Sequence, residues 1–413
     1  MLRTIKVEVD QSTWPPPPGP PVFPNGFHTG VADLSVDILS MLLLIGHLTT
    51  PAAAEGISLS EFWAWVRYFF AIGPSAGLAL TQQFAELDSH QKTILSDDFG
   101  MGLPMYWLTG TLGLGPSCDG EYFRKRHAAS IGATVQKTSK RGSNKSPDFV
   151  CLDGTGLWHV IECKGTQSGP AYRDKQMSHT LPSGVASGAI VQKRTIVMPP
   201  AVQGQRLACG VTIAVEGDGK NTQLLVRDPE PGEKYAVREQ DLAVADDPPL
   251  RATLARILRL SGFDVTASVV AAPSGRRADS APQASRLKSR FEDERKQFVI
   301  ERRRGAHEEL SARRVQRQFQ TKDHSYIGRQ TVLDLPMPLE VDGKQLRRVS
   351  IRQGLNVSVI EAIAADTLGE SPIGEQAPWL RDQLGIIISE GDGVRAQLRV
   401  GTAYHSDIEL ISD

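Results

Sequence analysis

Residues 146–166 read SPDFVCLDGTGLWHVIECKGT. Two apolar runs flank Asp153-Gly154, a dipeptide that favours a tight turn, so this segment predicts a β-hairpin. Asp148 stands at the start of the first strand, and Glu162 and Lys164 stand near the end of the second. Because unpaired charge is costly to bury among apolar neighbours, a compensating cation is expected here.

The composition sets limits on the rest of the molecule. A chain of 413 residues exceeds the usual size of one hydrophobic core, which predicts two or three domains. The 46 basic and 47 acidic residues give a net charge of −1, so any nucleic-acid-binding surface must be local. The four cysteines lack CxxC spacing, which disfavours a zinc site and fits a reducing cytoplasm. The most apolar run, residues 39–48, is about half of the ~20 residues that cross a bilayer, so we expect a cytoplasmic protein without a membrane span.

Five regions follow from composition and periodicity. Residues 1–30 are predicted to be a proline-rich lead-in, and residues 31–115 a helical domain with apolar residues at helical spacing. Residues 116–220 form the central domain that contains the hairpin. Residues 221–285 have the composition of a connecting region and linker, and residues 286–413 predict a long helix and then a β-rich domain.

The central domain has a distinct predicted order of elements. The charged segment 119–133 predicts a helix, and ATVQKTSK at 133–140 a short extended piece. The two hairpin strands come next, then a small-residue helix around 183–193 and one or two more strands. The order is helix, three strands, helix and strand, and the fold class is α/β of the α+β type.

Strand geometry predicts a specific site within the hairpin. Side chains alternate between the faces of a strand, so Glu162 and Lys164 project to the same side. A hairpin places the start of one strand beside the end of the next, so Asp148 and Glu162 are expected to converge. Mg²⁺ prefers such hard oxygen ligands, and a nearby lysine can orient a nucleophile or neutralise charge growing on a phosphate.

These residues carry a resemblance to a known family. Pro147-Asp148, thirteen intervening residues and then Glu162-Cys163-Lys164 resemble the signature of the PD-(D/E)xK nuclease superfamily. The order of elements is similar to the αβββαβ core of its restriction-endonuclease-like fold. The resemblance implies that Asp148 and Glu162 bind Mg²⁺, with Mn²⁺ as a substitute, that the Cys163 carbonyl completes the metal shell, and that Lys164 is catalytic.

The resemblance also implies residues outside the hairpin. The family often adds an acid from the helix before the sheet, for which Glu121 is the first candidate and Asp119 the second. Some branches use a glutamine or lysine from the second helix, and Gln176, Gln192 and Lys193 are eligible.

A local basic set separates the charged helix from the hairpin. Its loop carries Lys137, Lys140, Arg141 and Lys145 around a Gly-Ser-Asn tip. Lysine and arginine supply most of the non-specific affinity for nucleic acid, so these four are candidates for phosphate contacts. The alternative is a solvated charged face, which is the usual role of such a run.

The resulting hypothesis is a Mg²⁺-dependent nuclease that hydrolyses phosphodiester bonds, with DNA favoured as substrate. The flanking domains are expected to serve oligomerisation or to contact a partner protein, and a role in restriction or antiviral defence is analogy only. One alternative is a catalytically inert nucleic-acid-binding or scaffolding subunit. Another is a repair nuclease whose helicase is a separate chain, because the sequence has no GxxxxGK[ST] motif.

Overall fold

Two large β-sheets with helices between them, and two small two-stranded sheets, make up the described part of the fold, as seen in a computed structural model of the chain. The structure describes residues 1–16, 19, 21–52, 68–131, 146–180, 186–190, 196–228, 235–271, 286–312, 317–341, 343–365, 373 and 377–412. Its composition of helices and mixed sheets is of the predicted α+β type.

Strands and helices are numbered in chain order. The strands are β1 (Leu2–Val9), β2 (Gly30–Asp37), β3 (Ala79–Leu80), β4 (Leu114–Cys118), β5 (Phe149–Asp153), β6 (Trp158–Thr166), β7 (His179–Thr180), β8 (Ala186–Ser187), β9 (Gln203–Thr212), β10 (Ala214–Val215), β11 (Gln223–Arg227), β12 (Arg317–Gln320), β13 (Ser325–Val341), β14 (Lys344–Asn356), β15 (Ile387–Gly391), β16 (Arg395–Val400) and β17 (Tyr404–Ile411). The helices are α1 (Ile38–Thr49), α2 (Gln82–Ala85), α3 (Ser89–Leu112), α4 (Gly120–Ser130), α5 (Pro170–Met177), α6 (Asp247–Leu260), α7 (Asp264–Ala271), α8 (Arg286–Ala312), α9 (Val357–Ala365) and α10 (Pro378–Leu384).

The first sheet has seven strands in the order β2-β1-β11-β9-β6-β5-β4. Strands β4, β5 and β6 are antiparallel neighbours, whereas β6 and β9 run parallel and are joined through α5. The predicted hairpin is confirmed, with its turn after Asp153. Both of its strands lie inside the sheet, which explains why their side chains are apolar on both faces.

The structure differs from the sequence prediction in three places. Residues 30–37 form strand β2, paired with β1 along its whole length, where a helix was predicted. The strand that precedes the hairpin in the sheet is β4, before the charged helix, because it pairs with β5. The helix that joins β6 to β9 is α5, and it begins at Pro170 instead of lying around residues 183–193. The extended piece at 133–140 is outside the described residues.

Strand pairing also crosses two of the predicted domain boundaries. Strand β1 comes from the predicted lead-in, and it pairs with β11 of the connecting region as well as with β2. Strand β4 begins at Leu114, so the predicted boundary between residues 115 and 116 lies within it. In the proline-rich segment, buried Trp14 donates through its indole Nε1 to Gln205 Oε1 at 2.8 Å, which ties the segment to β9.

Helices α1, α3 and α6 fill the space between the two sheets. Helix α3 packs on β6 and β9 of the first sheet, and α1 packs on α3 and on β15, β16 and β17 of the second. Helix α6 contacts β4 and β14. This position explains the sequence ILSMLLLIGHL of α1, in which every residue from Ile38 to Leu48 is buried. A helix that is apolar on all sides needs cover on all sides.

The second sheet has six strands in the order β12-β13-β14-β17-β16-β15, all antiparallel. A hairpin that turns at Asp392-Gly393 consists of β15 and β16, within the predicted β-rich region. Within the parts of the chain that the structure describes, every helix is too short or too polar to cross a bilayer.

Glycine allows α3 to approach β6 unusually closely. A Cβ atom added at Gly165 would lie 1.8 Å from the carbonyl oxygen of Ser96, and one at Gly100 would lie 2.5 Å from the Cα of Gly165. Backbone atoms therefore meet backbone atoms at this crossing. Gln167 reinforces it, because its Nε2 donates to the Lys92 carbonyl at 3.1 Å and to Ser96 Oγ at 3.0 Å.

We expect Gly165→Ala to lower the free energy of unfolding by about 1–3 kcal/mol or more, because the new methyl group would overlap a helix backbone. Gly110→Ala is the matched control. Gly110 lies in α3, the helix that Gly165 contacts, and no atom lies within 4 Å of its Cβ position. Gly110→Ala should raise stability by up to about 1 kcal/mol through helix propensity. Urea denaturation measures both, and equal effects of the two variants would contradict the close crossing.

Candidate active site

Strand register places Asp148 opposite Glu162. Phe149 pairs with Ile161, so the residue before Phe149 faces the residue after Ile161. Buried Pro147 precedes Asp148, and its carbonyl accepts a hydrogen bond from the Gly120 amide at 3.0 Å, which fixes the chain where it enters β5. The predicted convergence of the two carboxylates is therefore present.

Three hydrogen bonds hold the two carboxylates and the lysine together. The Asp148 amide donates to Glu162 Oε2 at 3.1 Å, and the Cys163 amide donates to Asp148 Oδ2 at 2.8 Å. Lys164 Nζ donates to Glu162 Oε1 at 2.5 Å. Gly165 packs on α3 and lies on the opposite face of β6 from Glu162 and Lys164. The side chains of Glu162 and Lys164 therefore project to the α5 side of the sheet.

The site carries more negative charge than its lysine can neutralise. The side chain of Glu162 is fully buried, and burial together with the Asp148 charge raises its pKa to about 8. Burial also raises the pKa of Asp148, while Lys164 opposes that shift. Burial alone would lower the pKa of Lys164, but the Glu162 and Asp148 carboxylates raise it. We therefore read Lys164 as an ammonium ion beside a carboxyl pair that tends to keep one proton.

Asp97 is an acidic residue whose charge acts on the site and which the sequence analysis did not identify. It lies on α3, in the turn that crosses β6, and its charge raises the pKa of Asp148. Burial raises the pKa of Asp97 itself, and the nearby Lys164 lowers it. The sequence gives only a weak indication of this role. Asp97 stands three residues before Gly100, and the contact between Gly100 and Gly165 joins residues that are far apart in sequence.

The two acids proposed from the charged helix have different surroundings. Glu121 is paired with Lys125 at 2.6 Å, with two-fifths of its side chain exposed (41%). Asp119 caps α4, accepting from the Tyr122 amide at 2.7 Å, and its charge raises the pKa of Asp148. The structure therefore brings Asp97 and Asp119 towards the carboxyl pair, whereas Glu121 forms an ion pair on the helix surface.

The other predicted site residues divide into those that the structure describes and those outside the described residues. Gln176 lies on α5, and its Oε1 atom is buried without a hydrogen-bond partner among the described residues. The Cys163 carbonyl stays a predicted ligand. The remaining candidates lie outside the described residues: Gln192, Lys193, Lys137, Lys140, Arg141 and Lys145.

His159 has a structural role. Its Nε2–H donates to Asp153 Oδ2 at 3.0 Å, and its Nδ1 accepts from the Gln205 amide at 3.0 Å. Both ring nitrogens are thus engaged in holding the hairpin turn against β9. His127 stacks on Phe123 and bonds to the Tyr235 hydroxyl at 2.8 Å, which accounts for its burial.

The chemistry of the carboxyl pair fits a hard divalent cation. Glu162 and Asp148 offer carboxylate oxygens, and burial raises the pKa of both groups although Lys164 opposes the shift. Among the described residues, no group of three or more His, Cys, Asp or Glu side chains has metal-binding spacing. Mg²⁺ commonly uses only one or two carboxylates and keeps several waters, so two carboxylates are sufficient.

We expect the stability of the wild-type protein to fall as pH rises from about 4.5 to about 8, the ordinary and raised pKa values of Glu162. In this window the folded chain holds a proton that the unfolded chain has lost, so the free energy of unfolding falls by up to about 1.4 kcal/mol per pH unit. Glu162→Gln should flatten this slope, and Glu121→Gln should leave it unchanged. Denaturant titrations across the pH range test this, and an unchanged slope in Glu162→Gln would refute the raised pKa.

Comparison with known proteins leaves the site to be interpreted from its own geometry. Protein-family models, curated proteins and solved structures were all compared with the chain, and none of them matches it.

Proposed function

We propose that this protein is a Mg²⁺-dependent nuclease of the PD-(D/E)xK type that hydrolyses phosphodiester bonds, with DNA as the favoured substrate. The observation that carries the proposal is the buried Glu162, which meets Asp148 across the strand register and Lys164 along its own strand. A buried acid of this kind needs a partner, and a cation shared with Asp148 supplies one.

The order of elements supports the same proposal. Helix α3, strands β4, β5 and β6, helix α5 and strand β9 occur in this order, with α4 inserted between β4 and β5 and the short strands β7 and β8 between α5 and β9. Strands β4 to β6 form an antiparallel meander, and β9 adds parallel to β6. With those insertions set aside, this order supports the proposed αβββαβ core, in which α3 would be the first helix instead of the predicted α4.

Each side chain has a defined role in the proposed reaction. Asp148 and Glu162 would hold Mg²⁺, and Asp97 adds negative charge beside them. Bound Mg²⁺ would supply a Lewis acid that polarises the phosphate and activates the attacking water. Lys164 has to release Glu162 Oε1 before that oxygen serves as a ligand, and its ammonium group can then donate to the phosphate oxygen on which charge grows.

The first test is cleavage by the full-length protein. Plasmid, linear duplex, single-stranded DNA and RNA are incubated with Mg²⁺, Mn²⁺ or EDTA, and products are resolved on gels. We expect metal-dependent cleavage that Asp148→Ala and Lys164→Ala each reduce by about 10²–10³-fold, as removal of a group that stabilises transition-state charge does. Cleavage that persists in EDTA or in either variant would remove the mechanism.

The same assay distinguishes the nuclease from the main alternative, a catalytically inert nucleic-acid-binding subunit. Binding of nucleic acid by the wild type without turnover in either metal would identify an inert binding subunit instead.

A second test distinguishes the acid found in the structure from the one expected from sequence. Asp97→Asn should reduce the cleavage rate by at least about tenfold, because it removes a charge that acts on Asp148 and Lys164. Glu121→Gln should cleave at the wild-type rate, since Glu121 pairs with Lys125. The reverse result would show that α4, and not α3, supplies the third acid.

A further inference from the structure

The second sheet has one covered face and one open face. Alternate residues Val349, Ile351 and Leu355 of β14 are buried in the core, whereas Arg352 between them is exposed. The open face therefore carries the other alternate residues of each strand. Along β12, β13 and β14 the charged members of this face are Arg317, Asp334, Arg348 and Arg352.

Charge is distributed unevenly over this open face. On β12 to β14, this face carries three arginines and one aspartate. On β15 to β17 this face carries two arginines and three acids. Arg395 is paired with Glu409 and Arg399 with Glu390, and the third acid, Asp407, is paired with Arg352 of β14 at 2.9 Å. The half formed by β12 to β14 is thus the basic half, and its outermost cation, Arg317, bonds only to the neutral Gln330 among the described residues.

An aromatic ring lies on the basic half. Phe319 sits directly on the sheet: a Cβ atom at Gly354 would be 2.7 Å from its Cε1 atom. Buried Tyr326 stacks beside it, with ring centroids 5.7 Å apart and an interplanar angle of 18°. The Arg352 guanidinium carbon lies 5.8 Å from the centre of the Phe319 ring. Phe319 itself is only partly buried, so part of the ring is accessible.

Two neighbours of this ring, Arg352 and His405, also line a cavity. It has a volume of about 500 Å³, and its lining includes Arg352, His405, Asp407, Gln397 and Glu390. Its carboxylates would repel phosphate groups, but carboxylate, amide and guanidinium groups can bond to the edges of bases. Proteins hold single strands with positively charged surfaces and with aromatic rings on which bases stack.

We propose that the open face of the second sheet binds single-stranded nucleic acid, with phosphates on Arg317 and Arg348 and a base stacked on Phe319. The proposal rests on the nuclease function and deepens it, because it gives the enzyme a substrate-holding surface separate from the carboxyl pair. A double helix would not serve equally well, because its bases are already stacked on one another.

The test is fluorescence anisotropy of a labelled oligothymidylate titrated with the full-length protein in EDTA, so that cleavage is not required. Phe319→Leu should weaken binding by roughly fivefold or more, whereas Phe319→Trp, which keeps a stacking ring, should bind like the wild type. The tryptophan variant and a thermal melt of each protein show whether the loss reflects stacking or a folding defect.

A pair of double variants tests the basic half with equal loss of charge. Arg317→Gln with Arg348→Gln should weaken binding about tenfold and reduce the salt slope by about 1.4, the value for two phosphate contacts on a single strand. Arg395→Gln with Arg399→Gln, on the other half of the same face, should change affinity by less than about twofold. Equal weakening by both pairs, wild-type binding by Phe319→Leu, or equally tight binding of duplex would overturn the proposal.

These outcomes are separable from those of the nuclease test. The carboxyl variant Asp148→Ala should bind the oligonucleotide as the wild type does, because Asp148 lies on the first sheet. Loss of cleavage without loss of binding therefore reports on the carboxyl pair. Loss of binding without loss of metal-dependent cleavage of short substrates reports on the open face of the second sheet.

Discussion

Two carboxylates are held opposite each other by strand pairing, with one lysine beside them, and the proposed chemistry of this protein depends on this arrangement. Asp148 and Glu162 cannot move apart without breaking the pairing of β5 and β6. Glu162 is fully buried, so the surplus negative charge has to be met by a proton or by a cation. The raised pKa values, the backbone amides that donate to both carboxylates and the fit to Mg²⁺ are consequences of this single constraint.

The hairpin was predictable because its information is local. Alternation along the strands placed Glu162 and Lys164 on one side, and the Asp-Gly turn set Asp148 beside them. The third acid was not predictable in the same way. The charge of Asp97 acts on Asp148 because Gly100 on α3 meets Gly165 on β6, a contact between residues far apart in sequence. Periodicity identifies a helix, but it does not say which strand the helix crosses.

The same limit explains the errors in the first part of the chain. Strand β4 reads LGPSC, a sequence with glycine and proline and little preference for extended structure, so pairing with β5 determines its conformation. Strand β1 pairs in parallel with β11, more than two hundred positions later. Residues 31–37 resembled a helix because the apolar run of α1 follows them without a break. The hydrophobic pattern changes from strand to helix at Asp37, which the structure identifies as the N-cap of α1.

The position of α1 has a consequence for how the protein is made. Its cover includes β15 to β17, which a ribosome reaches about 340 residues after α1, or roughly 20–70 s later at ~5–20 residues per second. During that interval the most apolar segment of the chain has only part of its native neighbours. Helix α1 can therefore reach its full native burial only after β15 to β17 have emerged from the ribosome.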